Sequence, residues 1–434
     1  MVACFRSRYL KILVGTICAT ALSGVFPFPV VSADTITDLN QKIQSKATDI
    51  DQLKAEISTY QKQVEQTGKE AQTLKGVVNT LTVTQKKLET DLKLTQNKLD
   101  ATTYGIQKTS IEIGDAESHI GQSTQDIAAM IRTVDALDQS SLVEVMFSDE
   151  SLADFLGRLT AIEQLQQALH DHIVDLTATR TDLQDKKTQQ QVQQKSLATL
   201  QSELGDRKAI VASSKTEKNQ LLTQTKNKEA NYQKILAAKI ALKDAFEKEL
   251  TDYEAQLHSI INPSLLPAKG SAPLLWPLAS ILITQYFGDT DFARSGAYSG
   301  KGHNGMDFNA PIGTQIFAGA DGTIEGTGDT DLACPRASFG KWVFIRHNNG
   351  LASTYAHLSL IKVVQGQQVK AGDLIGYSGN TGYSTGPHLH LSVYASQAVS
   401  VQSRPSKVCN ATYTMPIGAL NGYLDPMDYL PALP

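Results

Sequence analysis

Gly386-Pro387-His388-Leu389-His390-Leu391 is the stretch on which the reading of this chain turns. Its histidines alternate with leucines. On a β-strand, successive side chains point to opposite faces, so His388 and His390 share one face. Two neutral imidazoles side by side can bind a metal. Alternatively, one ring binds it while the other handles protons. Taken alone, His-x-His also fits an ordinary short surface strand, so the rest of the chain must supply the site.

Five of the nine histidines lie in the last part of the chain: His303, His347, His357, His388 and His390. From Trp276 onward the sequence runs in short β-type segments broken by glycine, with Asn349-Gly350 as a hairpin signal. These features predict a small, mostly antiparallel all-β domain. In His303-Asn304-Gly305-Met306-Asp307, a helix would put the histidine and the aspartate on one face. Gly302, Gly305 and Pro311 argue instead for a loop leading into a strand. A catalytic zinc takes three protein ligands from His, Asp or Glu and keeps a position open for water, with a proton acceptor nearby. No His-Glu-x-x-His is present, and Glu325 is the only glutamate after Glu254. Acid–base work therefore falls to histidine or aspartate. His347 belongs to no such motif and reads as a structural strand-end residue.

Working outward, the 434 residues carry a formal charge of −4, which gives no bulk electrostatic reason to expect nucleic-acid binding. Residues 1–33 read as a signal peptide. Arg6, Arg8 and Lys11 precede an apolar run from Ile12 to Val25, and Val31-Ser32-Ala33 offers small residues for cleavage. An uncleaved anchor is the alternative, and Gly15-Thr16-Ile17 before Cys18 is a poor lipidation signal. Export to the periplasm or the cell-wall face is expected. Cleavage would leave only Cys334 and Cys409, for which one disulfide is the simplest reading in an exported protein. Zinc thiolates are the alternative, though no Cys-x-x-Cys spacing exists.

Residues 34–260 contain no proline and repeat in sevens. Ile36, Ile43, Ile50, Ile57, Val64, Ala71, Val78, Gln85, Leu92 and Leu99 continue through Val134 with one polar interruption. Thr95, Thr102 and Thr109 are soft spots at the companion position. Such a repeat predicts a coiled coil, with about 100 residues making an arm of ~150 Å. A second series runs from Ile162 to Val211. The two predict an antiparallel hairpin whose apolar tip, near 138–160, holds Phe147 and Phe155. Residues 261–275 are a proline-rich linker and 276–434 the β domain.

His303-x-x-x-Asp307, Tyr355-Ala356-His357 and Ser384-Thr385-Gly386-Pro387-His388-Leu389-His390 together resemble the three signatures of the lysostaphin/LytM-type zinc metallopeptidases. The resemblance runs from about Trp276 to Pro431. It implies a cell-wall endopeptidase acting on peptidoglycan peptides. It also implies zinc held by His303, Asp307 and His390, with His357 and His388 as the acid–base and transition-state-stabilising pair. Asp329 to Arg336 and Ser400 to Ala419 look like insertions that wall the groove. A coiled coil before such a domain is similar to division-associated murein hydrolases and murein-hydrolase activators. That likeness implies regulation by the arm and an ABC-transporter-type membrane partner. The alternative function is a non-catalytic activator of a separate amidase.

Overall fold

The structure, a computed structural model, describes residues 33–68, 73–138, 152–257, 259, 261–294, 302–384 and 386–433. The expected signal peptide, apart from Ala33, and residues 139–151 of the expected tip lie outside these. The helical part precedes the β part in the chain. Among the described residues, no helix is long and apolar enough to cross a membrane.

Among the described residues, four α-helices precede the β domain: α1 (Ala33–Gly68), α2 (Leu74–Asp138), α3 (Leu152–Thr225) and α4 (Glu229–Glu254). Helices α2 and α3 form the antiparallel hairpin. Lys215 pairs with Glu89 at 2.9 Å, Lys186 with Glu112 at 3.2 Å and Lys187 with Glu117 at 2.8 Å, a steady register along the pair. The soft-spot threonines are accommodated because each hydroxyl donates to a carbonyl one turn back: Thr95 to Asp91, Thr102 to Lys98 and Thr109 to Gly105.

The first heptad run is not one continuous arm. It breaks after Gly68, and α1 folds back along α2, with Lys46 bonded to Asn97 and Asp100 at 3.0 Å each. The outgoing helix is therefore 65 residues, an arm of ~100 Å rather than ~150 Å. A heptad stripe needs an apolar partner, and α1 finds one on its own neighbour. The second run ends at Thr225. Lys226 and Asn227 take left-handed backbone conformations there, and the chain turns into α4.

The β domain holds a ten-stranded antiparallel sheet in the order β1-β2-β9-β6-β5-β4-β7. Its strands are β1 (Ile283–Gln285), β2 (Met306–Asn309), β3 (Gln315–Phe317), β4 (Gly322–Asp329), β5 (Lys341–His347), β6 (Leu351–Ile361), β7 (Gln368–Val369), β8 (Leu374–Ser378), β9 (His388–Ala395) and β12 (Tyr423–Leu424). β8 joins β3 to β6, and β12 pairs with β9. A separate hairpin, β10 (Val399–Ser406) with β11 (Ala411–Gly418), fills the region read as an insertion. Cys409, in its turn, is disulfide-bonded to Cys334. The proline-rich segment lies along the domain: the Gly270, Leu274 and Leu275 amides donate to the Asp428, Tyr429 and Gly319 carbonyls.

The arm rests on this domain at its base. Leu88, Ile210 and Val211 pack against Ile312 and Tyr377. Around them Arg207 donates to the Gly313 carbonyl at 3.0 Å, and Lys362 pairs with Asp206 at 2.9 Å.

Candidate active site

Strand β9 carries the organising pair. Leu389 and Leu391 point into the core, 0% and 2% exposed, so His388 and His390 are turned to the other face. On the neighbouring strand, Asp307 stands directly opposite His390 and Asn309 opposite His388. His303 sits on the loop before β2, bridged to Gly288. Gly305 lets that loop close on β9, since a Cβ there would lie 2.6 Å from the His390 ring.

Three ligand atoms converge. His303 Nε2 is 3.2 Å from His390 Nδ1 and 3.4 Å from Asp307 Oδ1, and His390 Nδ1 is 2.9 Å from the same oxygen. The opposite nitrogen of each ring is engaged. His303 Nδ1–H donates to the Tyr286 carbonyl at 3.0 Å, and His390 Nε2 meets the Ser392 hydroxyl at 2.9 Å. The carbonyl fixes the His303 tautomer; when His390 takes the matching one, with Nε2–H donating to Ser392, two nitrogen lone pairs and a carboxylate face one another with no proton between them. That arrangement repels itself unless a cation sits among the three. Tetrahedral zinc with ligands at ~2.0–2.1 Å needs ligand atoms ~3.3 Å apart, close to the observed triangle. The donor set therefore fits zinc.

His357 and His388 complete the floor. Their rings are 4.6 Å apart, and His388 Nε2 is 3.7 Å from Asp307 Oδ1. His357 Nδ1–H donates to the Thr381 carbonyl at 2.9 Å, and His388 Nδ1–H to the Gly386 carbonyl at 2.8 Å. Each ring is thus left with Nε2 for the cavity. His357 has φ 60°, unusual outside glycine, and its amide is held by the Phe339 carbonyl. Burial, then the neighbouring His388 and His390, hold its pKa well below the usual histidine range. Burial opposes ionisation of Asp307. The imidazoles of His303 and His390 beside it outweigh burial and keep the carboxyl well below its ordinary value.

All five expected site residues meet at one cavity. His347 lies apart: its ring nitrogens bond the Ala320 carbonyl and the Ser353 hydroxyl, and burial lowers its pKa to about 4. Glu325 is paired with Arg346 and takes no part in the site. The supports missed from sequence are Ser392 and the carbonyls of Tyr286, Thr381 and Gly386. Ser392 alone left a trace, two residues after His390 on the same face. The walls of the groove touch through Gly340 and Gly382, at φ 58° and 66°; a Cβ on either would lie 2.1–2.2 Å from the other's backbone nitrogen.

Helix α4 forms the roof. Phe246, Glu247, Leu250, Thr251 and Glu254 line one side of the cavity whose floor is the five residues above. The cavity is partly open and about 160 Å³, below the ~300–1,000 Å³ of ordinary ligand sites.

Residues 301–402 match the profile described as Peptidase family M23. The chain is 41% identical over 113 residues to the Peptidoglycan DD-endopeptidase ShyA of Vibrio cholerae, covering 26% of this chain and 24% of that protein. It is 32% identical over 138 residues to the Cell division protein DipM of Caulobacter vibrioides, covering 32% and 20%. Among solved structures, it is similar to the catalytic domain of the antimicrobial peptidase lysostaphin from Staphylococcus simulans. That match is 29% identical, covers 35% of this chain and 92% of the other, and has a TM-score of 0.26. The chain spans about a quarter or less of the length of these two curated relatives.

Proposed function

We propose that this chain is an exported zinc endopeptidase that hydrolyses peptide bonds of peptidoglycan and is restrained by its own helices. The observation that carries the reading is the convergence of His303 Nε2, Asp307 Oδ1 and His390 Nδ1 beside two further imidazoles.

When bound, zinc supplies a Lewis acid that polarises the scissile carbonyl and makes water acidic enough to attack at neutral pH. His388 takes the proton of the attacking water at Nε2. The ring holds the proton until it passes to the leaving amine. His357 stays neutral in its buried setting and orients the reacting groups through Nε2. Hydrogen bonds to backbone carbonyls fix both rings in the tautomer this requires.

The roof supports restraint: a peptide cannot lie across the five residues while Phe246 and Leu250 cover them. The ABC-transporter-type partner implied for the arm would act at the tip, outside the described residues. The direct test is zinc content together with hydrolysis of purified peptidoglycan, comparing the chain with His303→Ala. Binding of about one zinc per chain and metal-dependent release of peptide are expected. A chain that binds no zinc and releases nothing, even with α4 displaced, is an amidase activator or a scaffold instead.

A further inference from the structure

Strand β10 turns Gln402, Arg404 and Ser406 to one face, alternating with exposed Ser403 and Pro405. Across the ladder, Arg404 stands opposite Tyr413. This face looks onto α4 and grips one of its side chains. The Ser406 hydroxyl donates to Glu249 Oε2 at 2.6 Å, and the Lys407 amide donates to Oε1 at 2.6 Å. The Arg404 guanidinium lies 3.8 Å from Oε2. A donor on each oxygen, with a guanidinium alongside, makes a receptor shaped for a carboxylate.

Arg404 is only 4% exposed and lies 4.8 Å from the Tyr253 ring. Among the described residues, its Nε and Nη1 have no hydrogen-bond partner. Leaving buried charged donors unmatched is costly, and a contact that served only to hold a helix would gain nothing from them. The spare donors fit a site that takes a second carboxylate-bearing occupant.

The receptor adjoins the cavity. Phe246 and Leu250, on either side of Glu249 in sequence, line the roof, and Phe246 meets Tyr413 edge-on at 6.5 Å. The disulfide ties the hairpin's turn, next to Lys407, to the loop that leads to Phe339, whose ring faces His390 at 5.8 Å. One helix width, ~10 Å, separates the roof's inner and outer faces, a span that about three extended residues cover.

We propose that Arg404, Ser406 and the Lys407 amide form a substrate subsite for a free peptide carboxylate, which Glu249 occupies in cis while α4 covers the metal site. The proposal rests on the peptidase reading, since peptidoglycan stem peptides carry such carboxylates close to their cross-links. A carboxylate entering the receptor displaces Glu249, so substrate binding and closure of the roof compete for the same donors.

The test uses the full chain with Glu249→Ala, alone and with Phe246→Ala so that a seated roof does not hide the receptor. N-acetyl-D-alanine and its C-terminal amide are titrated by NMR. The double variant is expected to bind the acid at least tenfold more tightly than the amide, and the unmodified chain is expected to bind neither. Adding Ser406→Ala should remove the preference. Equal binding of acid and amide, binding of neither, or a preference that survives Ser406→Ala overturns the proposal. The probe needs no metal and offers no bond between residues to cut. A chain that hydrolyses peptidoglycan without the preference therefore loses the subsite but keeps the peptidase, and the reverse result does the opposite.

Discussion

The helices touch the β domain in two places, and the contacts differ in kind. At the base of the arm, Leu88 and Ile210 are 1% and 2% exposed in an apolar cluster with Ile312 and Tyr377. The charged groups around that cluster are paired. Over the candidate metal site, α4 also buries an aromatic, Phe246, and it buries a carboxyl, Glu254, as well. Glu254 bonds the Tyr423 hydroxyl, and burial raises its pKa to about 7. The first contact is apolar with its charges paired, whereas the second buries a carboxyl whose ionisation opposes burial; under the proposed restraint, the second is the one expected to lift.

The comparison breaks most completely if nothing competent lies under the roof. In an opened chain carrying Phe246→Ala, adding Asp307→Ala should abolish zinc binding and cut peptidoglycan hydrolysis by ~10⁴-fold. In the same background, His388→Ala should cost ~10²–10⁴-fold in rate with zinc content unchanged, which separates proton transfer from metal binding. The contrast itself is tested by Phe246→Ala against Ile210→Ala. Truncating either buried side chain costs ~2–5 kcal/mol. At the roof, that shifts the closed state toward open and should raise hydrolysis by ~10²-fold, limited by the open fraction. At the base of the arm, it should lower the melting temperature without activating. Equal activation by both variants would erase the distinction.

Two smaller effects sharpen it. Ser392→Ala removes the partner of His390 Nε2 and should weaken zinc ~10–100-fold in a competition titration while leaving the roof in place. The last concerns pH. A carboxyl whose pKa is raised in the closed state holds a proton that the open state has released. Closure is therefore strongest below the ordinary value of 4.5 and is lost progressively as pH rises toward about 7. Amide exchange in α4, corrected for its intrinsic pH dependence, should accelerate by up to ~10²-fold across that window, and Glu254→Gln should flatten the change.

Much of the β domain could be read in advance because its signals are local. Alternation around His388 and His390 is a two-residue pattern, and Asp307 meets His390 through a strand pairing that the same alternation prepares. The helical part was harder for a physical reason. A heptad stripe reports that a face is buried, not which helix buries it. Val64 and Val78 keep the phase on both sides of the break after Gly68, so folding back leaves no mark in the periodicity. The roof was hidden for a related reason. Glu249 and Ser406 are 157 positions apart, and nothing near either one signals the other. Backbone carbonyls that set the imidazole tautomers carry no residue identity at all.

Gly340 and Gly382 bear on how such a groove can change over generations. Each occupies the space that a methyl group on the other strand of the wall would need, so neither position admits any side chain while its counterpart stays where it is. Mutation has no stepwise route through this pair. The gauge of the cleft is thus inherited as a fixed quantity.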